Sequence, residues 1–216
     1  MEKKALIEIS NGSIGYDRPI QENLNLLFNE GQLYALIGRN GRGKTTLLKT
    51  LVGFIPQIEG EILINGSQIG EISNVDLSKQ VAMVLTGRDF DTNLYVKDVL
   101  ALGRTPYLGL TFKLSSADYR VINRVVEESK IEHFLNRKLS DLSDGERQKV
   151  LLARALVQET DIIILDEPTA HLDNPNRHEL FAFLKRLCHE QNKTIILSTH
   201  EIDLADQYVD ESVELT

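Results

Sequence analysis

The chain has 216 residues and carries 24 lysines and arginines against 32 aspartates and glutamates, which gives a net charge of −8. This length favours one large domain, with or without an inserted lobe, over several domains. The negative charge makes nucleic acid an unfavourable partner, because the chain as a whole repels a phosphate backbone. The single cysteine, Cys188, excludes an internal disulfide framework and fits a reducing, cytoplasmic setting.

The first part of the chain has the pattern of short strands separated by turns. We predict strands over residues 5–10 and 32–37, with a turn region around Gly12 and Gly15 between them. A hairpin is expected over residues 60–65, because the Asn65-Gly66 dipeptide that closes it suits the positive φ angles of a tight turn.

A glycine-rich segment, GRNGRGKT at residues 38–45, directly follows the second of these strands and precedes a helical run over residues 46–51. It matches the phosphate-loop pattern GxxxxGK[ST] in its required strand, loop and helix context. The glycines let consecutive N–H groups surround an anion, and the helix N-terminus adds positive potential. We expect Lys44 to reach the β and γ phosphates and the Thr45 hydroxyl to bind Mg²⁺. The alternative is a glycine-rich turn before an ordinary helix.

The middle of the chain, residues 95–158, changes to helical spacing. Val96, Val99 and Leu100 recur at intervals of three and four residues, and a second helical run follows the start signal Ser115-Ser116. We interpret this region as an inserted helical lobe.

Two apolar runs at residues 162–165 and 194–197 flank a helical stretch over residues 175–191. This alternation is typical of a parallel sheet covered on both faces. Asp166 and Glu167 follow the first run, at the carboxyl edge where such sheets bind ligands. We expect Asp166 to hold Mg²⁺ through water and Glu167 to polarise the water that attacks the γ phosphorus. The alternative is a strand that ends in a solvent-exposed acidic turn.

A capping box, SxxE, lies at residues 143–146 ahead of a helical run over residues 149–157. The box presents a helix N-terminus with free N–H groups, which is a site for an anion. A plain capped helix is the alternative interpretation.

Taken together, these motifs resemble the nucleotide-binding subunits of ABC transporters, and the resemblance covers essentially the whole chain. The segment LSDGE at residues 142–146 is similar to the LSGGQ signature of that family, and LDEPT at 165–169 to its carboxylate motif. HLD at 171–173 resembles the loop after the carboxylates, and STH at 198–200 the switch histidine.

The resemblance implies an α/β fold with a P-loop NTPase core, a mostly parallel sheet, a small antiparallel β lobe and an inserted helical lobe. It implies a single ABC ATPase domain over residues 1–216. Residues 1–86 and 159–216 would form the α/β core with the antiparallel lobe, and residues 87–158 the helical lobe that carries the signature.

The resemblance also implies ATP and Mg²⁺ as cofactors and ATP hydrolysis coupled to transport as the activity. The implied catalytic residues are Glu167, His200 and Lys44. The implied nucleotide-binding residues are Tyr16, which would stack on adenine, Gly38, Asn40, Gly41, Gly43, Lys44, Thr45 and Thr46. Thr45 and Asp166 are the implied metal residues. Ser143, Asp144, Gly145 and Glu146 would contact ATP bound to another subunit, and Asp173 belongs to the D-loop.

The implied partners are a second copy of the chain on ATP binding, transmembrane permease subunits and a substrate-binding protein, with no nucleic acid. The chain would then lie in the cytoplasm, held by the permease at the inner face of the cell membrane. The segment VLALGRTPY at residues 99–107 is similar to importers of metal chelates such as iron siderophores, haem or cobalamin.

One position departs from the family pattern. Thr86 stands where the family has a glutamine that contacts the metal or the attacking water. A threonine side chain is shorter, so this contact and the coupling that depends on it are in question. Residues 211–216 have the pattern of the beginning of another strand.

Two other classes of function compete with a transporter subunit. A soluble, non-transport ABC-type ATPase generally carries two cassettes or a long coiled-coil insertion, and neither occurs in this sequence. A P-loop GTPase or a kinase is disfavoured, because NKTI at residues 192–195 lacks the acid of the guanine-reading NKxD motif and a kinase does not need the signature helix.

Overall fold

The computed structural model describes residues 4–85, 93–109 and 113–215. Within them an antiparallel sheet has the strand order β2-β1-β4-β5. Its strands are β1 (Ala5–Gly15), β2 (Pro19–Asn29), β4 (Glu59–Ile64) and β5 (Ser67–Gln68). The turn after β4 contains Asn65 and Gly66, both at positive φ, as the hairpin prediction required.

A second sheet has five strands in the order β6-β7-β8-β3-β9, and every neighbouring pair is parallel. Its strands are β3 (Leu33–Ile37), β6 (Val81–Leu85), β7 (Ile162–Asp166), β8 (Thr194–Ser198) and β9 (Glu211–Glu214). Because all five run the same way, their carboxyl ends meet at one edge. That edge carries the segments that follow β3, β7 and β8, which hold most of the predicted site.

Seven α-helices occur in the described part of the chain, and none of them is long and apolar enough to span a bilayer. They are α1 (Lys44–Leu51), α2 (Asn74–Ser78), α3 (Val96–Leu102), α4 (Ser116–Ser129), α5 (Asp144–Val157), α6 (Asn174–Gln191) and α7 (Ile202–Tyr208). Side chains at the N-caps of the three longest helices, α4, α5 and α6, accept a backbone N–H, which explains where these helices begin.

The parallel sheet is covered on both faces because alternate residues of its strands enter two different cores. Ile163 and Leu165 pack with helices α3 to α6, whereas Ile162 and Ile164 pack with α1 and the antiparallel sheet. The predicted α/β fold with separate parallel and antiparallel sheets is thereby confirmed.

Charged side chains join the helices of the helical region to one another and to the parallel sheet. Arg104 is only 6% exposed and donates to Asp118 and Glu159 at 2.8 Å each, so it joins α4 to the end of α5. Hydrogen bonds from Ser115 and then Arg104 lower the pKa of Asp118 to about 2. Arg154 of α5 donates to the carbonyl of Met83 in β6 at 2.6 Å. These contacts fix the position of α5 relative to the parallel sheet.

The prediction of a turn at Gly12 was wrong, because Gly12 lies within strand β1, which bends by register shifts against β2 and β4. Gly15 is the last residue of β1, directly before the connection to β2. Strand β2 and the short helices α2 and α7 were not predicted. The division of the chain at residues 86/87 and 158/159 stays a prediction, and Thr86 lies outside the described residues.

Candidate functional site

The phosphate-loop segment connects the end of β3 to the start of α1. Gly38 has a φ of 140° and Gly43, the N-cap of α1, a φ of 86°, conformations that other residues rarely adopt. A Cβ atom on Gly38 would also come within 2.7 Å of the Leu215 carbonyl oxygen. The glycines are therefore required for this path of the chain, and the β2 residue Gln21 adds a hydrogen bond of 3.1 Å to the Arg42 carbonyl.

Lys44 lies inside the loop and not in solvent. Lys44 is only 6% exposed. Its ammonium donates to the Gly38 carbonyl at 2.7 Å and to the Arg39 carbonyl at 3.4 Å. A buried ammonium held by backbone carbonyls is placed to exchange these acceptors for phosphate oxygens. The arrangement is thus suited to an anionic ligand at this loop.

Asp166 and Thr45 meet although 121 residues separate them in the sequence. The Thr45 hydroxyl donates to Asp166 Oδ1 at 3.0 Å, which joins the start of α1 to the end of β7. A hydroxyl and a carboxylate are oxygen ligands of the kind that Mg²⁺ prefers. These two residues are therefore the ones that would hold a metal ion beside the phosphate loop.

Glu167 and His200 form the next pair along the same edge. Glu167 Oε1 lies 2.8 Å from His200 Nε2, and Glu167 itself has a φ of 50°, unusual for a residue with a side chain. Burial raises the pKa of Glu167, while the nearby His200 and Lys44 act in the opposite direction. A carboxyl group with a raised pKa next to a histidine is suited to accepting a proton.

Ser198, the last residue of β8, contacts both acids and was not predicted as a site residue. Its hydroxyl donates to Asp166 Oδ1 at 2.7 Å and accepts the backbone N–H of Glu167 at 2.8 Å. Ser198 is completely buried. One signal could have indicated it: Ser198 is a polar residue at the end of an apolar strand that was expected beside the carboxylates.

The segment of residues 143–146 forms both bonds of its predicted capping box. Ser143 Oγ accepts the Glu146 N–H at 3.3 Å, and a Glu146 carboxylate oxygen accepts the Ser143 N–H at 2.8 Å. The second bond is the main reason that the pKa of Glu146 is lowered. Ser143 and Asp144 are exposed, and Gly145 lies beside the side chain of Asn176. Within the described residues, no hydrogen bond or ion pair joins this segment to the phosphate loop or the carboxylates.

The remaining predicted residues lie around the same edge or at its margin. Tyr16 is 61% exposed in the connection between β1 and β2, so its ring is open to contact. Asp173 is the N-cap of α6 and accepts the Asn176 N–H at 3.1 Å. Asn40 and Gly41 are exposed in the loop, whereas Thr46 is buried in the first turn of α1.

Comparison with known proteins gives consistent matches. A model of the ABC transporter family matches residues 21–170. The iron(3+)-hydroxamate import ATP-binding protein of Bacillus subtilis is 35% identical over 196 residues, which are 90% of this chain and 73% of that protein.

Two solved structures extend the similarity to the fold. A chain from an inward-facing transporter described as metal-chelate type has a TM-score of 0.86 and 28% identity, and the match covers 99% of this chain and 80% of that one. A dimeric bacterial ABC transporter cassette has a TM-score of 0.83 and 26% identity, with 97% and 94% covered.

Proposed function

The chain belongs to the ABC transporter family, whose ATP-binding subunits hydrolyse ATP to power transport, and we propose that it energises the import of a metal chelate. The observation that carries the ATPase part is one connected set of contacts at the carboxyl edge of the parallel sheet. Contacts of 2.7–3.0 Å link one residue to the next in the order Thr45, Asp166, Ser198, Glu167 and His200.

We propose that the phosphates of ATP lie in the loop of residues 38–45. The N–H groups around Gly41 and Gly43, at the start of α1, would face the β phosphate, and the Lys44 ammonium would move from its carbonyl acceptors to phosphate oxygens. Tyr16 is exposed and would offer its ring to the adenine.

The residues present fit a magnesium ion. Thr45 Oγ1 and Asp166 Oδ1 are 3.0 Å apart, and the Thr45 proton is donated to the carboxylate, so its lone pairs are available to a cation. Magnesium ions held in this way by one or two protein oxygens typically keep several waters and take phosphate oxygens as further ligands. When bound, Mg²⁺ would neutralise charge on the phosphates.

Glu167 is the proposed base for hydrolysis. A water oxygen would attack the γ phosphorus, the water proton would pass to a Glu167 carboxylate oxygen, and the bond to the β–γ bridging oxygen would break, leaving ADP and phosphate. His200 holds Glu167 Oε1 at 2.8 Å and so orients the carboxylate. The raised pKa of Glu167 brings this group closer to the pH at which it works.

The signature segment is proposed to complete the ATP site of a second copy. Ser143 is exposed, and the N-terminus of α5 behind it carries positive potential. In the described residues, the Ser143 and Glu146 side chains contact only their own helix turn and Arg137. The dimeric cassette that the chain resembles supports a two-copy arrangement. In the proposed dimer, Ser143 and Gly145 face the γ phosphate on the partner copy.

The transport role requires other chains. We propose that permease subunits hold the chain at the cytoplasmic face of the cell membrane and that a substrate-binding protein delivers the metal chelate. The import function of the Bacillus relative and the metal-chelate type of the inward-facing structure support this assignment. The contribution of Thr86 to coupling stays a prediction.

The transport proposal is tested by purifying the tagged chain from detergent-solubilised membranes and identifying the membrane chains that accompany it. The complex is then reconstituted in vesicles and assayed for ATP-dependent uptake of ferric hydroxamate, with Glu167→Gln as the inactive control. Uptake that requires ATP and is lost in the control supports the proposal. An exporter partner, or an ATPase without any membrane partner, contradicts it and favours a non-transport ATPase.

A further inference from the structure

We infer that Ser198 is the positioning residue that holds Asp166 and Glu167 in their working geometry. This inference rests on the proposed MgATP site and adds a residue to it. A serine hydroxyl has one proton to donate and lone pairs that accept. Ser198 donates to Asp166 Oδ1 at 2.7 Å and accepts the N–H of Glu167 at 2.8 Å, so one oxygen atom binds both acids.

The bond to Asp166 fixes how its carboxylate is turned. Asp166 Oδ1 accepts from Ser198 on one side and from Thr45 on the other, at 2.7 Å and 3.0 Å. Two donors from different elements, β8 and α1, restrict rotation of the carboxylate about its own bond. Groups that orient a metal-binding carboxylate typically change metal affinity or activity by 10–100-fold when they are removed.

The bond to Glu167 acts on the backbone. Glu167 has a φ of 50°, a conformation disfavoured for a residue with a Cβ atom, and its N–H is held by Ser198. In this backbone conformation the Glu167 carboxylate lies 2.8 Å from His200 Nε2. Loss of the Ser198 hydroxyl would leave the N–H without this acceptor and release the turn.

A second hydroxyl at the other end of the same strand provides a matched control. Thr194 is also completely buried, and its hydroxyl accepts the Gly31 N–H and donates to the Asn29 carbonyl, both at 3.1 Å. Those partners are backbone groups at the amino end of the sheet, away from the carboxylates. Thr194→Val therefore removes a buried hydroxyl with two partners from β8 and leaves the contacts of Asp166 and Glu167 in place.

The experiment measures the unfolding midpoint of the full chain with a non-hydrolysable ATP analogue while Mg²⁺ is titrated, and separately measures ATP turnover. For Ser198→Ala we expect the Mg²⁺ concentration of half-maximal stabilisation to rise about tenfold and turnover to fall about tenfold. Binding of the analogue without Mg²⁺ should change less than twofold. Without ligands, Thr194→Val and Ser198→Ala should lower the unfolding midpoint by similar amounts. The Mg²⁺ dependence and the turnover of Thr194→Val should stay those of the parent.

Two results overturn the inference: a Ser198→Ala chain with the Mg²⁺ dependence and turnover of the parent, or a Thr194→Val chain with the same losses as Ser198→Ala. Failure of the proposed function gives a different result, because the parent itself would then show no stabilisation by the analogue and Mg²⁺. The two failures are thus separated by the behaviour of the parent chain.

Discussion

The carboxyl edge of the parallel sheet and the N-terminus of α5 are both predicted to contact ATP, but they are built differently. At the sheet edge, Thr45, Asp166, Glu167 and His200 are joined to one another, directly or through Ser198, by contacts no longer than 3.0 Å. At the N-terminus of α5, the Ser143 and Glu146 side chains bond only to their own helix turn and to a nearby arginine.

This difference indicates which half of the site is complete within one chain. Groups that contact each other across two strands and a helix are positioned before a ligand arrives, which is what electrostatic preorganisation requires. An exposed, capped helix N-terminus that contacts no other functional group depends on a surface outside the chain to be used. Substitutions at the sheet edge should therefore change ATP binding and turnover within one chain, whereas substitutions at the N-terminus of α5 should change association between two copies.

The largest effect is expected for Glu167→Gln. Glutamine keeps the size of the side chain but cannot take the proton from the attacking water. Turnover measured by phosphate release should fall roughly 10²–10⁴-fold, the range typical of a lost general base. ATP affinity, measured by calorimetry, should stay within about threefold of the parent value, which is equivalent to about 0.6 kcal/mol. Turnover at the parent rate would show that another group acts as the base.

Lys44→Ala should act on binding instead. The buried ammonium is expected to exchange two carbonyls for phosphate oxygens, and charged hydrogen bonds of this kind correspond to roughly 10–100-fold in affinity. Calorimetry with ATP measures the loss. Lys49→Ala, at the far end of the same helix α1, is the control and should bind ATP like the parent. Equal losses in the two variants would contradict the role of Lys44.

The pH dependence of turnover tests the environment of Glu167. Because burial raises the pKa of Glu167, the base becomes protonated at a higher pH than an ordinary glutamate, and turnover should fall about tenfold per pH unit below that pKa. The nearby His200 counteracts part of the effect of burial, so His200→Ala should move this acid limb to higher pH. An acid limb at the ordinary glutamate pKa would contradict the buried-base assignment.

The same shift has a consequence for folding. A carboxyl whose pKa is raised in the folded chain stabilises it at low pH, and this contribution is lost as the pH rises through the raised pKa. The glutamine of Glu167→Gln stays neutral, so this variant should not lose that stability as the pH rises. Unfolding midpoints of the parent and the variant, measured across the pH range, show the difference.

Gly145→Ala probes the signature region. A Cβ atom at this position would meet the Asn176 side chain at 3.4 Å, which the isolated chain accommodates as ordinary contact. The unfolding midpoint should therefore change little, whereas ATP-dependent self-association should weaken about tenfold, equivalent to about 1.4 kcal/mol, because the methyl group occupies space next to the partner's phosphate. Sedimentation measures the association. If the variant associates like the parent, the partner's phosphate does not lie next to residue 145.

The smallest effect is expected for Glu146→Gln. Glutamine preserves the capping box, since its side-chain oxygen still accepts the Ser143 N–H, but it removes a negative charge. The pKa of Glu146 is lowered, so the carboxylate is charged at neutral pH and would repel the γ phosphate of the partner copy. Association with ATP should strengthen roughly twofold to threefold, as expected for an exposed charge. Weaker association would contradict the proposed contact.

Much of the fold could be predicted because its signals are local. The apolar runs of β7 and β8 and the glycine pattern after β3 each identify an element without knowledge of the rest of the chain. The turn predicted at Gly12 was wrong for a physical reason. Glycine suits turns, but it also suits a bent strand, and the long antiparallel pairing of β1 with β2 decided the outcome.

The grouping of the candidate site residues at one edge of the sheet could also be predicted in part. Lys44, Asp166 and Glu167 stand in motifs whose residue types carry their chemistry, and the structure brings them to one edge. Ser198 stands in the STH segment, but the resemblance of that segment pointed to His200. The importance of Ser198 comes from contacts with residues 31 and 32 positions away in the sequence. The unusual φ of Glu167 is likewise a property of the folded edge and leaves no trace in the residue type.

ATP is proposed to lie between the sheet edge of one copy and the α5 N-terminus of another. The most direct measurement is the mass of Glu167→Gln in solution, by light scattering, with and without MgATP. We expect the mass of one chain without nucleotide and twice that mass with MgATP. A chain that binds ATP at one site per molecule and keeps the mass of a single copy would rule out this two-copy arrangement.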